Sequence, residues 1–254
     1  FWDCAAEAKA ALESRQPLSD GVAVDRLEQL IGDAVERRLV SYVSIGAFLS
    51  GGIDSSTIVA LMQVRSSSRM RSFCVGFDEP EYDESSHAKA IACHLGVEHH
   101  TLQAHASELL DAIPLMPGIY DEPFADPSQV PTYLLSRLMR GHVTVALSGD
   151  GGDEVFGGYT RYAVLEGIAS AVGRTPRVMR AAAARALRYT PEVVWRALEP
   201  AVPRAYGRSP LSARAARVAD MLTAEGLERS YRHLVGQWSE PEQVVVGGKE
   251  PIDP

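Results

Sequence analysis

One stretch constrains this chain more than any other: Gly46-Ala47-Phe48-Leu49-Ser50-Gly51-Gly52-Ile53-Asp54-Ser55-Ser56-Thr57. Residues 43–49 are short, apolar and suited to a buried strand, and Ile58, Val59, Leu61 and Met62 recur at helical spacing directly after the loop. A buried strand that breaks into glycine and serine and resumes as a helix belongs in an α/β architecture. With 254 residues and 46% apolar content, the chain can bury a substantial core in one large domain, or in one domain and a smaller appendage.

The loop's composition points to an anion. Gly51 and Gly52 lack a Cβ, so backbone N–H groups can converge on one point, while Ser50, Ser55 and Ser56 add hydroxyls and the following helix turns its positive end to the same place. Asp54 would repel phosphates unless a hard cation lay between, which predicts Mg²⁺. A Walker loop is excluded because no lysine follows the second glycine, and G-x-G-x-x-G is absent here. At every specified position, residues 50–55 instead resemble the Ser-Gly-Gly-x-Asp-Ser loop of the N-type ATP pyrophosphatases, which cleave ATP between its α and β phosphates.

The chain around this loop keeps the same rhythm. Val24, Leu27, Leu30, Ile31, Ala34 and Val35 fall on one face of a helix that leads into the first strand. Residues 72–77, 97–102 and 143–147 read as further buried strands, with a helix over 88–95 stopped by Gly96 and another over 132–140. Strands alternating with helices imply parallel βαβ units, with helices on both faces of the sheet. Residues 119–131 carry three prolines and three acids and read as a rigid loop ahead of a helix. The last strand runs into Ser148-Gly149-Asp150-Gly151-Gly152-Asp153-Glu154, a second glycine-acid loop at a strand's C-terminal end, where open α/β sheets bind ligands. His87, His94, His99, His100 and His105 lack a recognisable ligand spacing and read as surface or capping residues.

A net charge of −8 and a pI near 5.4 argue against nucleic acid or an anionic membrane as partner. Within that acidic chain, residues 163–217 hold ten arginines against three glutamates and read as solvated faces of helices. Cys4, Cys74 and Cys93 are odd in number and widely spaced, as reduced thiols would be. No membrane span or secretory signal is legible, so the expected location is the cytoplasm.

With Tyr120-Asp121-Glu122-Pro123 between them, the two loops make residues 24–162 resemble the synthetase domain of glutamine-dependent asparagine synthetases. The resemblance implies an adenine-nucleotide hydrolase-like fold with ATP and Mg²⁺ as ligands. Leu49, Val75, Ser148 and Gly149 would line the nucleotide. Ser50, Gly51, Gly52, Asp54, Ser55 and Ser56 would hold pyrophosphate, Asp54 with Asp153 would bind Mg²⁺, and Asp150, where many relatives carry Glu, would be the base for ammonia. The implied partners are a carboxylate substrate, aspartate first, and ammonia from a glutaminase domain outside this chain, with a homodimer left open. The chain would divide into a lead-in over 1–22 from a missing upstream domain, an ATP pyrophosphatase domain over 23–162, and an incomplete helical, Arg-rich part over 163–254.

Two departures accompany the resemblance. Those enzymes usually open with a glutaminase domain whose N-terminal cysteine is the nucleophile, whereas the sequence here opens on Phe1 and Cys4 lacks that context; and Lys9, Lys89 and Lys249 do not supply the family's downstream Lys-x-Asp-Arg context. The competing readings are a relative that adenylates another carboxylate, such as a β-lactam synthetase or a sugar-acid amidotransferase, and a nucleotide-binding module without turnover. A tRNA-modifying relative is disfavoured by the acidic balance.

Overall fold

The computed structural model describes residues 3–15, 17–122, 126–202, 210–224, 226–236 and 247. The chain forms two units, Phe1–Asp150 and Gly151–Pro254.

The first unit is built on a four-stranded parallel sheet of β1 (Ile45–Phe48), β2 (Arg71–Phe77), β3 (Glu98–Ala104) and β4 (Val145–Leu147), in the order β3-β2-β1-β4. Between the strands run α3 (Ile53–Arg65), α4 (Ser85–Leu95), α5 (Ala106–Ala112), α6 (Met116–Ile119) and α7 (Gln129–Met139), preceded by α1 (Cys4–Glu13) and α2 (Asp20–Leu39).

Alternation along the strands sends side chains to two cores, as a sheet covered on both faces requires. Ala47, Leu49 and Cys74 pack on one side with Val35, Val59, Met62, Ala88 and Ala92, from α2, α3 and α4. Phe48 and Phe73 lie on the other side with Leu135, Leu138 and Met139 of α7. Met62 and Phe73 are 0% exposed, and burial of side chains this large contributes about 1.5–3 kcal/mol each.

The parallel α/β reading is met, with differences at the edges. The apolar stripe expected along α2 is only partly used: Gly32 and Val35 are buried, whereas Val24 and Leu30 stay 61% and 58% exposed. A helix also forms at Cys4–Glu13, where the sequence shows little periodicity; the Asp3 carboxylate caps it, accepting from Ala5 N at 2.9 Å and Ala6 N at 3.1 Å. The expected loop ahead of residue 132 ends earlier, because α7 begins at Gln129 and takes Pro131 into its first turn. A proline costs nothing there, since its missing N–H would have no intrahelical partner. β3 runs two residues past its expected end, and β4 keeps only the last three of residues 143–147.

The second unit is helical among its described residues: α8 (Gly152–Phe156), α9 (Thr160–Arg174), α10 (Arg177–Tyr189), α11 (Glu192–Leu198), α12 (Leu211–Thr223) and α13 (Leu227–Val235). α10 packs on α12 through small residues, with Ala184, Ala215 and Ala219 buried. Arg188 pairs with Asp220 across these helices at 2.5 Å. The valine run at 244–246 lies outside the described residues.

Candidate active site

Strand order decides where a ligand can sit. From β1 the chain crosses to β2 and then β3 on one side, while β4 returns to the other side of β1. Loops leaving the C-terminal ends of β1 and β4 therefore diverge, and the crevice between them is the ligand position of an open parallel sheet. Both glycine-rich loops of the sequence leave those two ends.

The first loop is folded as an anion cradle. Gly51 has φ +88°, a left-handed conformation that glycine adopts without strain. A Cβ on it would sit 2.9 Å from His87 Cβ and 3.0 Å from Ala88 N, so the loop lies tight against the first turns of α4. Ser50 N donates to Ser55 Oγ at 3.2 Å, Gly52 N donates to Ser50 Oγ at 3.2 Å, and the two serine hydroxyls are 3.0 Å apart. Ser56 Oγ donates to Gly52 O at 2.6 Å. No side chain caps α3, whose N-cap is Gly52, so the first N–H groups of that helix remain for an anion.

Gly149 brings in the second loop. A Cβ on it would lie 2.6 Å from Ser55 N and 2.9 Å from the Asp54 carbonyl carbon, so only a glycine fits this close to the start of α3. Ser148 Oγ donates to the Asp150 carboxylate at 3.0 Å and fixes its orientation in the same turn. Within the first unit the structure thus gathers Ser50, Gly51, Gly52, Asp54, Ser55, Ser56, Ser148, Gly149 and Asp150.

Three other expected residues belong to the sheet's two cores or to the second unit. Leu49 is 1% exposed, its side chain locked in the core beneath α3 and α4, which leaves only its backbone for a ligand. Val75 lies on β2 and packs toward the opposite core beside Leu102. Asp153 belongs to the second unit, in the first turn of α8, where a Cβ on Gly158 would overlap its carboxylate.

His87 is a neighbour that motif reading passed over. The signal was topological: β2 lies beside β1, so the helix after β2 must start next to the loop after β1. That start is pinned by Asp83, which accepts from Ser85 N at 3.0 Å and Phe77 N at 3.4 Å. Hydrogen bonds from Ser85, then from Phe77, hold the Asp83 carboxyl below its usual range. On the same strand, burial pushes the Cys74 thiol up, so it remains a neutral core group.

The donor set also bears on Mg²⁺. Among the described residues no three His, Cys, Asp or Glu side chains gather to hold a metal by themselves. Asp54 is half-buried beside the open helix end, which fits an ion held by one or two carboxylates and completed by phosphate oxygens.

The sequence model for asparagine synthase matches residues 26–249, most of the chain and both loops. The chain belongs to the asparagine synthase family. Among similar proteins, asparagine synthetase 1 of Bacillus subtilis, named as glutamine-hydrolysing, is 40% identical over 139 residues, which is 55% of this chain and 22% of that protein. A candidate glutamine-hydrolysing asparagine synthetase of Methanocaldococcus jannaschii is 44% identical over 137 residues, covering 54% of this chain and 26% of that protein. This asparagine synthase family member thus spans about a quarter of the length of those relatives. Of solved structures, the NH3-dependent NAD synthetase from Campylobacter jejuni matches at a TM-score of 0.39 and 13% identity, over 53% of this chain and 60% of that one. No helix among the family member's described residues is long and apolar enough to cross a membrane.

Proposed function

We propose that this chain carries the adenylating site of an ATP-dependent, asparagine-forming ligase. The observation that carries the reading is the uncapped start of α3, with the 50–56 loop on one side and Gly149 packed against it. Membership of the asparagine synthase family supports the reaction class, and the relatives' names support aspartate as the acid.

In the reaction proposed, a side-chain carboxylate oxygen of aspartate attacks the α-phosphorus of ATP. The bond from the α-phosphorus to the bridging oxygen breaks, and pyrophosphate leaves. Ammonia then attacks the β-aspartyl-AMP carbonyl, giving asparagine, AMP and a proton. The residues act by position and charge. Ser50, Ser55 and Ser56 with the N–H groups of Gly51 and Gly52 hold the departing pyrophosphate, while Ser148, Gly149 and the Leu49 backbone flank the nucleotide. Val75, two residues before the end of the neighbouring strand β2, bounds it through its backbone. Asp54 is the carboxylate for Mg²⁺, which when bound neutralises phosphate charge. Asp150, oriented by Ser148, takes the proton lost by ammonia.

Pyrophosphate release is the test. The intact chain with ATP, Mg²⁺ and ammonium is expected to release pyrophosphate when aspartate is added, and not with glutamate or β-alanine derivatives. Release driven by another carboxylate would replace aspartate as the substrate. ATP binding with no release under any acid would make the chain a nucleotide-binding module.

A further inference from the structure

The segment Arg65-Ser66-Ser67-Ser68-Arg69-Met70-Arg71 has no part in the reading above. It joins α3 to β2 and therefore lies at the N-terminal ends of the parallel strands, opposite the 50–56 loop. It lines a cavity of about 570 Å³ together with Ser44 and Ile45 at the start of β1 and Glu98 at the start of β3. Three arginines and four serines thus line this space with a single acid, Glu98, beside the apolar Leu39, Val43, Ile45 and Met70.

The internal pairings leave positive charge over. Arg69 is committed to the chain, donating from Nε to Gly96 O at 2.8 Å and from Nη2 to Val97 O at 3.3 Å. Arg71 donates to Glu98 Oε2 at 3.4 Å and to His142 O at 3.0 Å. Glu98 is shared with His100 Nε2 at 2.9 Å, and these partners, His100 first, hold its carboxyl below the usual range. Arg65 lies over the Gly32 backbone of α2, where a Cβ would overlap its guanidinium, and it pairs with no acid among the described residues. A cation in the last turn of α3 is favourable to the helix dipole. These contacts place all three arginines, yet among the described residues only Arg71 pairs with an acid, so Arg65 and Arg69 bring uncompensated charge to the cavity.

We propose that this cavity binds the phosphoryl group of a small phosphomonoester, a ligand separate from the ATP of the 50–56 loop. Arg65 supplies the fork that a phosphate accepts in pairs, and the exposed Ser67 hydroxyl with its neighbours supplies short donors. The volume falls in the range of small-molecule sites and leaves room for the ester's organic part.

Amide NMR of the intact chain tests this, with glycerol phosphate as one probe and inorganic phosphate as the other. Saturable shifts of the 66–71 amides by glycerol phosphate are expected, read apart from any shifts at 50–56. Losing one charge-assisted hydrogen bond should weaken binding roughly tenfold in Arg65→Gln, with Arg65→Lys closer to the parent. Ser67→Asp should also lose binding, and as an exposed residue it tests the site without disturbing the core. Still amides at 66–71, unaltered titration in both Arg65→Gln and Ser67→Asp, or a response to inorganic phosphate alone would overturn the proposal.

Discussion

Gly149 is where two distant parts of the sequence meet, and its missing side chain is what lets them. A methyl group there would press on Ser55 N and on the backbone and Cβ of Asp54. Backbone cannot step aside as a flexible side chain can, so Gly149→Ala should cost about 1–3 kcal/mol and move the second loop off α3. ATP affinity is expected to fall at least about tenfold by calorimetry. Gly151→Ala offers the comparison: φ is +90° but nothing lies within 4 Å, so it should be strained without displacing the loop. At this scale the sequence was highly legible, because glycine and serine write the loop's conformation locally. The fate of Leu49 was harder to read, since an apolar residue at a strand end can serve core or ligand, and its neighbours α3 and α4 decide.

β2 and β3 show how an element tunes its own residues. His99 points to the α2–α4 side, its Nδ1 2.9 Å from Ser72 Oγ and its Nε2 3.4 Å from Cys74 Sγ, while His100 turns the other way to stack on Phe73 at 5.2 Å. Burial, then the charges of His100 and Lys89, lowers the His99 pKa. A depressed folded value means that stability from the neutral ring is present above the unfolded value near 6.5 and is lost as pH falls toward the folded value. His105 has the opposite sign, because its bond to Asp78 at 2.9 Å raises its pKa; its contribution is full below about 6.5 and fades as pH rises through the folded value. Urea unfolding of the parent between pH 5 and 7 should therefore include an acid-side loss that His99→Gln removes; an unchanged slope in that variant would count against the assignment. Strand identities and the Gly96 stop, with φ +70°, were readable from periodicity and local backbone chemistry. The start of α7 was not, since a proline rule without knowledge of helix position cannot tell a first turn from a break.

At the level of the whole molecule, the β3-β2-β1-β4 order turns two loops into a candidate site. Parallel pairing could be inferred from alternating strands and helices, but strand order is set by contacts between residues far apart, such as Ala47 beside both Ser72 and Leu147. The same arrangement places the arginine-serine cavity at the opposite strand ends, which no local motif announced. In the proposed function the start of α3 receives the phosphates of ATP, with Asp54 facing the ion between them. Calorimetric titration of ATP into the intact chain, with and without Mg²⁺, tests it most directly when repeated on Asp54→Asn. Mg²⁺ is expected to tighten binding about tenfold or more in the parent, and the variant to keep metal-free binding but lose this increment. An undiminished Mg²⁺ effect in Asp54→Asn would contradict it.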